Sequence, residues 1–166
     1  MVQERAKRFP LFADHGQFYA SDASHDPGNP LPEISDETTR RGWARTDYAI
    51  HYYTVGDGWA FRLDLICSSA PPDLNGAERV LSHSLRLPTG ILAVGNDIAA
   101  NNTATIALAP GTYSLFLRAF NLGAKSDLRL NDPELLERAD LERYEMFIVS
   151  GEARSEGVIL GRANLW

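Results

Sequence analysis

Residues 59–67 alternate more strictly than any other stretch of the chain. Trp59, Phe61, Leu63, Leu65 and Cys67 fall on one side, and Ala60, Arg62, Asp64 and Ile66 on the other. Successive side chains of a strand point to opposite faces, so this period of two specifies a strand with one apolar face. The pattern recurs. In 79–87, Leu81, His83, Leu85 and Leu87 alternate with Val80, Ser82, Ser84 and Arg86. In 112–120, Tyr113, Leu115, Leu117 and Ala119 stand opposite Ser114, Phe116, Arg118 and Phe120. Further strands are predicted at about 11–20, 46–54, 91–94, 103–108, 144–149 and 157–160. Gly56-Asp57-Gly58, Pro88-Thr89-Gly90 and Pro110-Gly111 supply the turns, the first as a tight hairpin between 46–54 and 59–67. The expected fold is all-β, an antiparallel β-sandwich of about eight strands.

Two helical signals interrupt the strands. Ser35 is an N-cap, Asp36 and Glu37 lie in the first turn, Arg40 and Arg41 in the last, and Gly42 stops the helix. The second signal covers 132–141. There Asp132 caps, Pro133 takes the first position, and Leu135, Leu136, Ala139 and Leu141 form an apolar stripe. Neither belongs to a βαβ unit, so a parallel sheet is not expected. With 166 residues the chain suits a single domain over 1–166. Its 44% hydrophobic and 23% charged residues exclude a disordered chain, and no apolar run approaches a membrane span.

The chain carries 22 acids against 16 Lys and Arg, for a net charge of −6. That balance disfavours direct nucleic-acid binding, which needs a basic footprint, and suits a basic partner. Cys67 is the single cysteine, so no internal disulfide forms. The charged N-terminal stretch gives no secretory signal, and a cytoplasmic location is expected.

No catalytic, cofactor or metal motif is legible, and no catalytic residue or cofactor is assigned. Asp14, His15, Asp22, His25 and Asp26 crowd one region, but their spacing matches no metal motif; a polar strand edge is the commoner meaning. His51 and His83 read as core or half-buried histidines with one hydrogen bond each. Cys67 ends an apolar strand face, as a buried thiol does. Tyr48, Tyr52, Trp59 and His83 are the candidates to line a cavity if the chain is instead a small-ligand-binding sandwich or jelly roll.

The one lopsided feature is acidic. Residues 126–145 hold Asp127, Asp132, Glu134, Glu137, Asp140, Glu142 and Glu145 against Arg129, Arg138 and Arg143. Such a run serves either as the solvated face of a helix or as a platform for a basic partner. The platform reading assigns partner binding to Asp127, Asp132, Glu134, Glu137, Asp140 and Glu142.

The order of short motifs adds a resemblance. Asp14-His15-Gly16-Gln17-Phe18-Tyr19 is similar to the His-Gln-Phe stretch that opens the ComJ-type competence proteins, with Gly16 interrupting it. Ser35-Asp36-Glu37 through Gly42-Trp43-Ala44 and Asp47-Tyr48-Ala49-Ile50 resembles that family's next block. Glu78-Arg79-Val80 through Leu87, Gly90-Ile91 and Ala109-Pro110-Gly111-Thr112-Tyr113 follow in the family's order. The resemblance covers about residues 11–121, and the chain continues some 45 residues further. It implies a small cytoplasmic bacterial inhibitor of a DNA-uptake nuclease, a protein that binds the enzyme and performs no chemistry itself.

Overall fold

The computed structural model describes residues 4–13, 15–26, 31–55, 58–96 and 103–161. Two sheets face one another. The six-stranded sheet has the spatial order β1 (Glu4–Phe12), β5 (Ala60–Ser68), β10 (Arg143–Ser150), β9 (Gly111–Phe120), β6 (Arg79–Leu87) and β11 (Gly157–Gly161). The five-stranded sheet runs β3 (Trp43–Arg45), β4 (Ala49–Tyr53), β2 (Gln17–Asp22), β7 (Ile91–Gly95) and β8 (Thr103–Ala107). The alternating apolar faces meet between them. Phe18, Tyr52, Phe61, Leu63, Leu81, Leu115 and Met146 belong to one continuous buried cluster. Phe18 and Phe61 each meet the ring of Tyr144 at an edge, at centroid distances of 5.5 and 4.9 Å.

The all-β expectation holds, with three differences. The described strands number eleven, against about eight expected. The predicted strand at 11–20 is two strands, β1 and β2, parted by a turn in which His15 and Gly16 take φ of 54° and 61°. Nor is the sandwich purely antiparallel, because β10 lies parallel to β5 over Arg143↔Arg62 to Val149↔Ser68. Turn chemistry marks where a strand ends but not which sheet the next strand joins. Thus the segment around Gly58 (φ 78°) does not close a hairpin: β4 and β5 lie in different sheets. Gly58 N–H instead bonds to Ala13 O at 2.8 Å, which ties the crossing to the end of β1. Gly56 and Asp57 lie outside the described residues.

The first helix, α1 (Asp36–Arg41), follows its sequence signals. Ser35 and Thr38 form a reciprocal capping box, and Gly42 ends the helix at φ 87°. The second expected helix does not form. Only a 3₁₀ turn, Pro133–Leu136, is present, and Asp132 makes no side-chain cap bond. Leu135 and Leu141 do turn inward, packing on Ala60, but Ala139 is exposed. An apolar pair fastened onto a sheet face satisfies the hydrophobic signal without a regular helix.

This segment, 121–142, explains why β5 is buried on both faces rather than one. Arg62 Nη1 donates to Leu136 O at 3.2 Å, and Arg8 Nη1 donates to the same carbonyl at 3.1 Å. Beneath it Arg8 grips Asp64 through Nε–Oδ1 (2.6 Å) and Nη2–Oδ2 (3.0 Å). The carboxylate is 1% exposed, so this two-pronged pair compensates a buried charge.

Candidate partner-binding surface

The 121–142 segment carries six of the seven acids singled out by composition; Glu145 lies in β10, paired with Arg118 and Arg143. The segment crosses the outer side of the six-stranded sheet and divides its six acids into three groups. Asp127 and Glu137 are exposed and Asp132 is partly so; none makes an ion pair with a described residue. Glu134 and Asp140 share one arginine. Arg138 binds Asp140 through Nε–Oδ1 and Nη2–Oδ2, both 2.7 Å, and reaches Glu134 Oε1 at 3.2 Å. These hydrogen bonds hold the Asp140 carboxyl at about 2, below its ordinary value.

Glu142 is different, and the surface role expected for it is corrected. It is 1% exposed. Its Oε1 accepts the Tyr144 hydroxyl in a very short bond and the Val55 N–H at 3.3 Å. Arg79, 6% exposed, lies in the same electrostatic environment. Burial pulls the Arg79 guanidinium below its ordinary value, and the Tyr144 oxygen and the Glu142 carboxylate draw it back up. Burial also pushes the Tyr144 hydroxyl well above its usual range. Composition could not separate Glu142 from its neighbours, because one of the groups that hold it, the Val55 N–H, is distant in sequence.

The other candidates are dispersed. His15 precedes β2 and His25 follows it, so they lie beyond opposite ends of that strand. Asp14 lies outside the described residues. Asp22, 3% exposed, is an internal clasp: its carboxylate accepts from Ser24 N at 2.9 Å and Thr89 N at 3.0 Å. These bonds outweigh burial and lower its pKa. Among the described residues, no three of His, Cys, Asp and Glu gather as a metal site would require.

The four cavity candidates do not share a site either. Tyr52 and His83 are sealed between the sheets at 0% exposure, whereas Tyr48 is 54% exposed and stacks on His25 at 4.4 Å. His83 departs from the expected single hydrogen bond. Both its ring nitrogens lack a partner, and Trp43 and Tyr52 meet it in T-shaped contacts at centroid distances of 4.5 and 5.7 Å. Burial pushes its pKa down to about 4. Cys67 is half-buried rather than fully buried.

No family model matches the sequence, and no curated protein does. Two solved structures are similar to it in fold. One is ComJ from Bacillus subtilis, an inhibitor of the DNA-degrading activity of NucA. It has a TM-score of 0.69 at 16% identity, over 91% of this chain and 100% of that one. The other is the product of crocagin biosynthetic gene J. Its TM-score is 0.54 at 15% identity, over 89% of this chain and 98% of that one. At such identities the likeness establishes a ComJ-like fold. Because it spans 91% of the chain, it reaches beyond the 11–121 region in which the sequence motifs fall. Among the described residues, no helix is long and apolar enough to cross a membrane.

Proposed function

We propose that this chain is a protein-binding module that inhibits a nuclease-like partner by covering a basic surface of it, with no contact to nucleic acid and no chemistry of its own. The observation that carries the reading is the extent of the likeness to ComJ, whose function is inhibition of a nuclease. The acidic segment offers a physical means. A nuclease attracts phosphates, so its cleft is positive, and a surface bearing unpaired carboxylates complements it and speeds encounter. Asp127, Asp132 and Glu137 are the leading contacts, since no ion pair with a described residue neutralises them. Glu134 and Asp140 contribute less, being shared with Arg138. Glu142 takes no part, because it is buried.

The test begins with capture of partners from the native host at low and moderate salt. A basic nuclease should be retained at low salt and released as salt rises. With that enzyme in hand, Asp127→Lys/Glu137→Lys should slow association about ten-fold at low salt and leave the unfolding midpoint unchanged. An association rate equal to that of the unaltered chain refutes the acidic platform. Undiminished nuclease activity at saturating concentration refutes inhibition.

A further inference from the structure

A second site lies on the outer side of the six-stranded sheet, near β11. There a cleft of about 400 Å³ opens between the sheet and the 151–156 loop. That is within the range of small-molecule pockets. Its floor is Phe116 and Val149, which belong to a compact cluster with Ile66 and Phe147. Pro71 and Ile159 add apolar walls.

The loop that closes the cleft is fastened rather than draped. Ser114 Oγ donates to Gly151 O at 2.7 Å, Ala153 N–H donates to Ser84 Oγ at 2.8 Å, and Ser84 N–H donates to Glu156 Oε1 at 2.7 Å. Glu156 is held in turn by Arg45 at 2.9 Å. A wall fixed in this way presents a pre-formed cavity, so a ligand is spared the cost of ordering it.

Into this cleft faces a hydroxyl without a partner. Ser82 is 1% exposed and lines the cavity, and its Oγ makes no hydrogen bond. Buried hydroxyls are normally satisfied, because leaving one unpaired carries its full desolvation penalty. Ser114, its neighbour on the same floor, is satisfied by Gly151. The mouth carries Arg154 and Glu152, one charge of each sign, so the cleft as a whole favours neither anions nor cations.

We propose that this cleft binds a small uncharged molecule with a compact apolar ring and one hydrogen-bonding group, the ring on Phe116 and Val149 and the polar group on Ser82 Oγ. The site is separate from the acidic segment and does not depend on the inhibitor reading.

The probes are phenol, which has a ring and a hydroxyl, and toluene, which has the ring alone. Each is titrated into the isotope-labelled chain while backbone amide shifts are recorded. Phenol should shift the amides of Ser82, Phe116, Val149 and residues 151–156 together, with one saturating curve. Removing an unsatisfied hydroxyl should not destabilise the fold, so Ser82→Ala should fold normally and weaken phenol about five-fold while leaving toluene unchanged. Ser155→Trp, on the exposed loop, should fill the mouth and abolish the shifts from both probes. Three results would overturn the proposal: phenol shifts scattered away from the cleft, equal weakening of phenol and toluene in Ser82→Ala, or undiminished binding in Ser155→Trp.

Discussion

Replacing Glu142 by alanine should be among the most damaging changes an acidic residue of this chain can undergo. The side chain is 1% exposed, and one carboxylate oxygen accepts both the Tyr144 hydroxyl and the Val55 N–H. A hydrogen bond to a charged group contributes about 1.5–3 kcal/mol net, and Glu142→Ala strands two donors. It also removes a carboxylate that offsets the buried Arg79 guanidinium. The two lost bonds together put the cost at about 3–5 kcal/mol, a large share of the roughly 5–15 kcal/mol that holds a domain folded. Urea unfolding followed by Trp43 and Trp59 fluorescence reads this directly. With an m-value of about 2 kcal/mol/M, the midpoint should fall by about 2 M. Glu142→Gln keeps the volume and one acceptor and should cost roughly half as much. Glu134→Ala is the control, since exposed substitutions usually stay within about 0.5 kcal/mol. If Glu142→Ala behaves like Glu134→Ala, Glu142 is no buried staple and the reasoning fails.

Two further outcomes follow from the interior. His83 is neutral in the folded chain, with its pKa pushed down to about 4 by burial, against about 6.5 when unfolded. The folded state therefore binds fewer protons. Stability is full above pH ~6.5 and falls by about 3 kcal/mol as the pH drops towards 4. His83→Leu should flatten that slope in urea titrations between those limits, and an unchanged slope would exonerate the histidine. At Gly90, φ is +73° and a Cβ would stand 2.5 Å from Leu108 O and 2.9 Å from Pro110 N. Gly90→Ala should cost more than the roughly 1–2 kcal/mol of a left-handed alanine alone, because those neighbours are backbone. A thermal midpoint unaltered by this change would contradict the close approach of the 108–110 backbone to this turn.

Local grammar was legible where the chain's neighbours in sequence are also its neighbours in space. The Ser35–Gly42 helix formed because cap, first-turn acids and stop all lie within eight residues. The apolar faces of 59–67, 79–87 and 112–120 formed because period two is a backbone property. Pairing was not legible. Nothing within 144–149 reveals that β10 slots between β5 and β9, or that it runs parallel to the former. The helix expected at 132–141 failed for a related reason: Leu135 and Leu141 find their burial on Ala60, and the carbonyls of Leu136 and Arg138 find donors in arginines of the sheet beneath. Of the acidic segment, its existence was visible in composition. The removal of Glu142 from its surface was not, nor was the pairing of Glu134 and Asp140 around Arg138, which depends on how the chain bends there.

The parallel seam between β5 and β10 has a consequence for the tempo of folding. The six-stranded sheet cannot be laid down in order of synthesis. β5 is made some 75 residues before the strand that covers its inner edge, and β6 and β9 pair while that place is still open. Closing so long a loop before its contacts are gained is entropically slow, and an uncovered edge is a template for pairing with other chains. A nascent chain ending before Arg143 should be sticky and protease-sensitive, and β10 should act as the keystone that makes the rest cooperative.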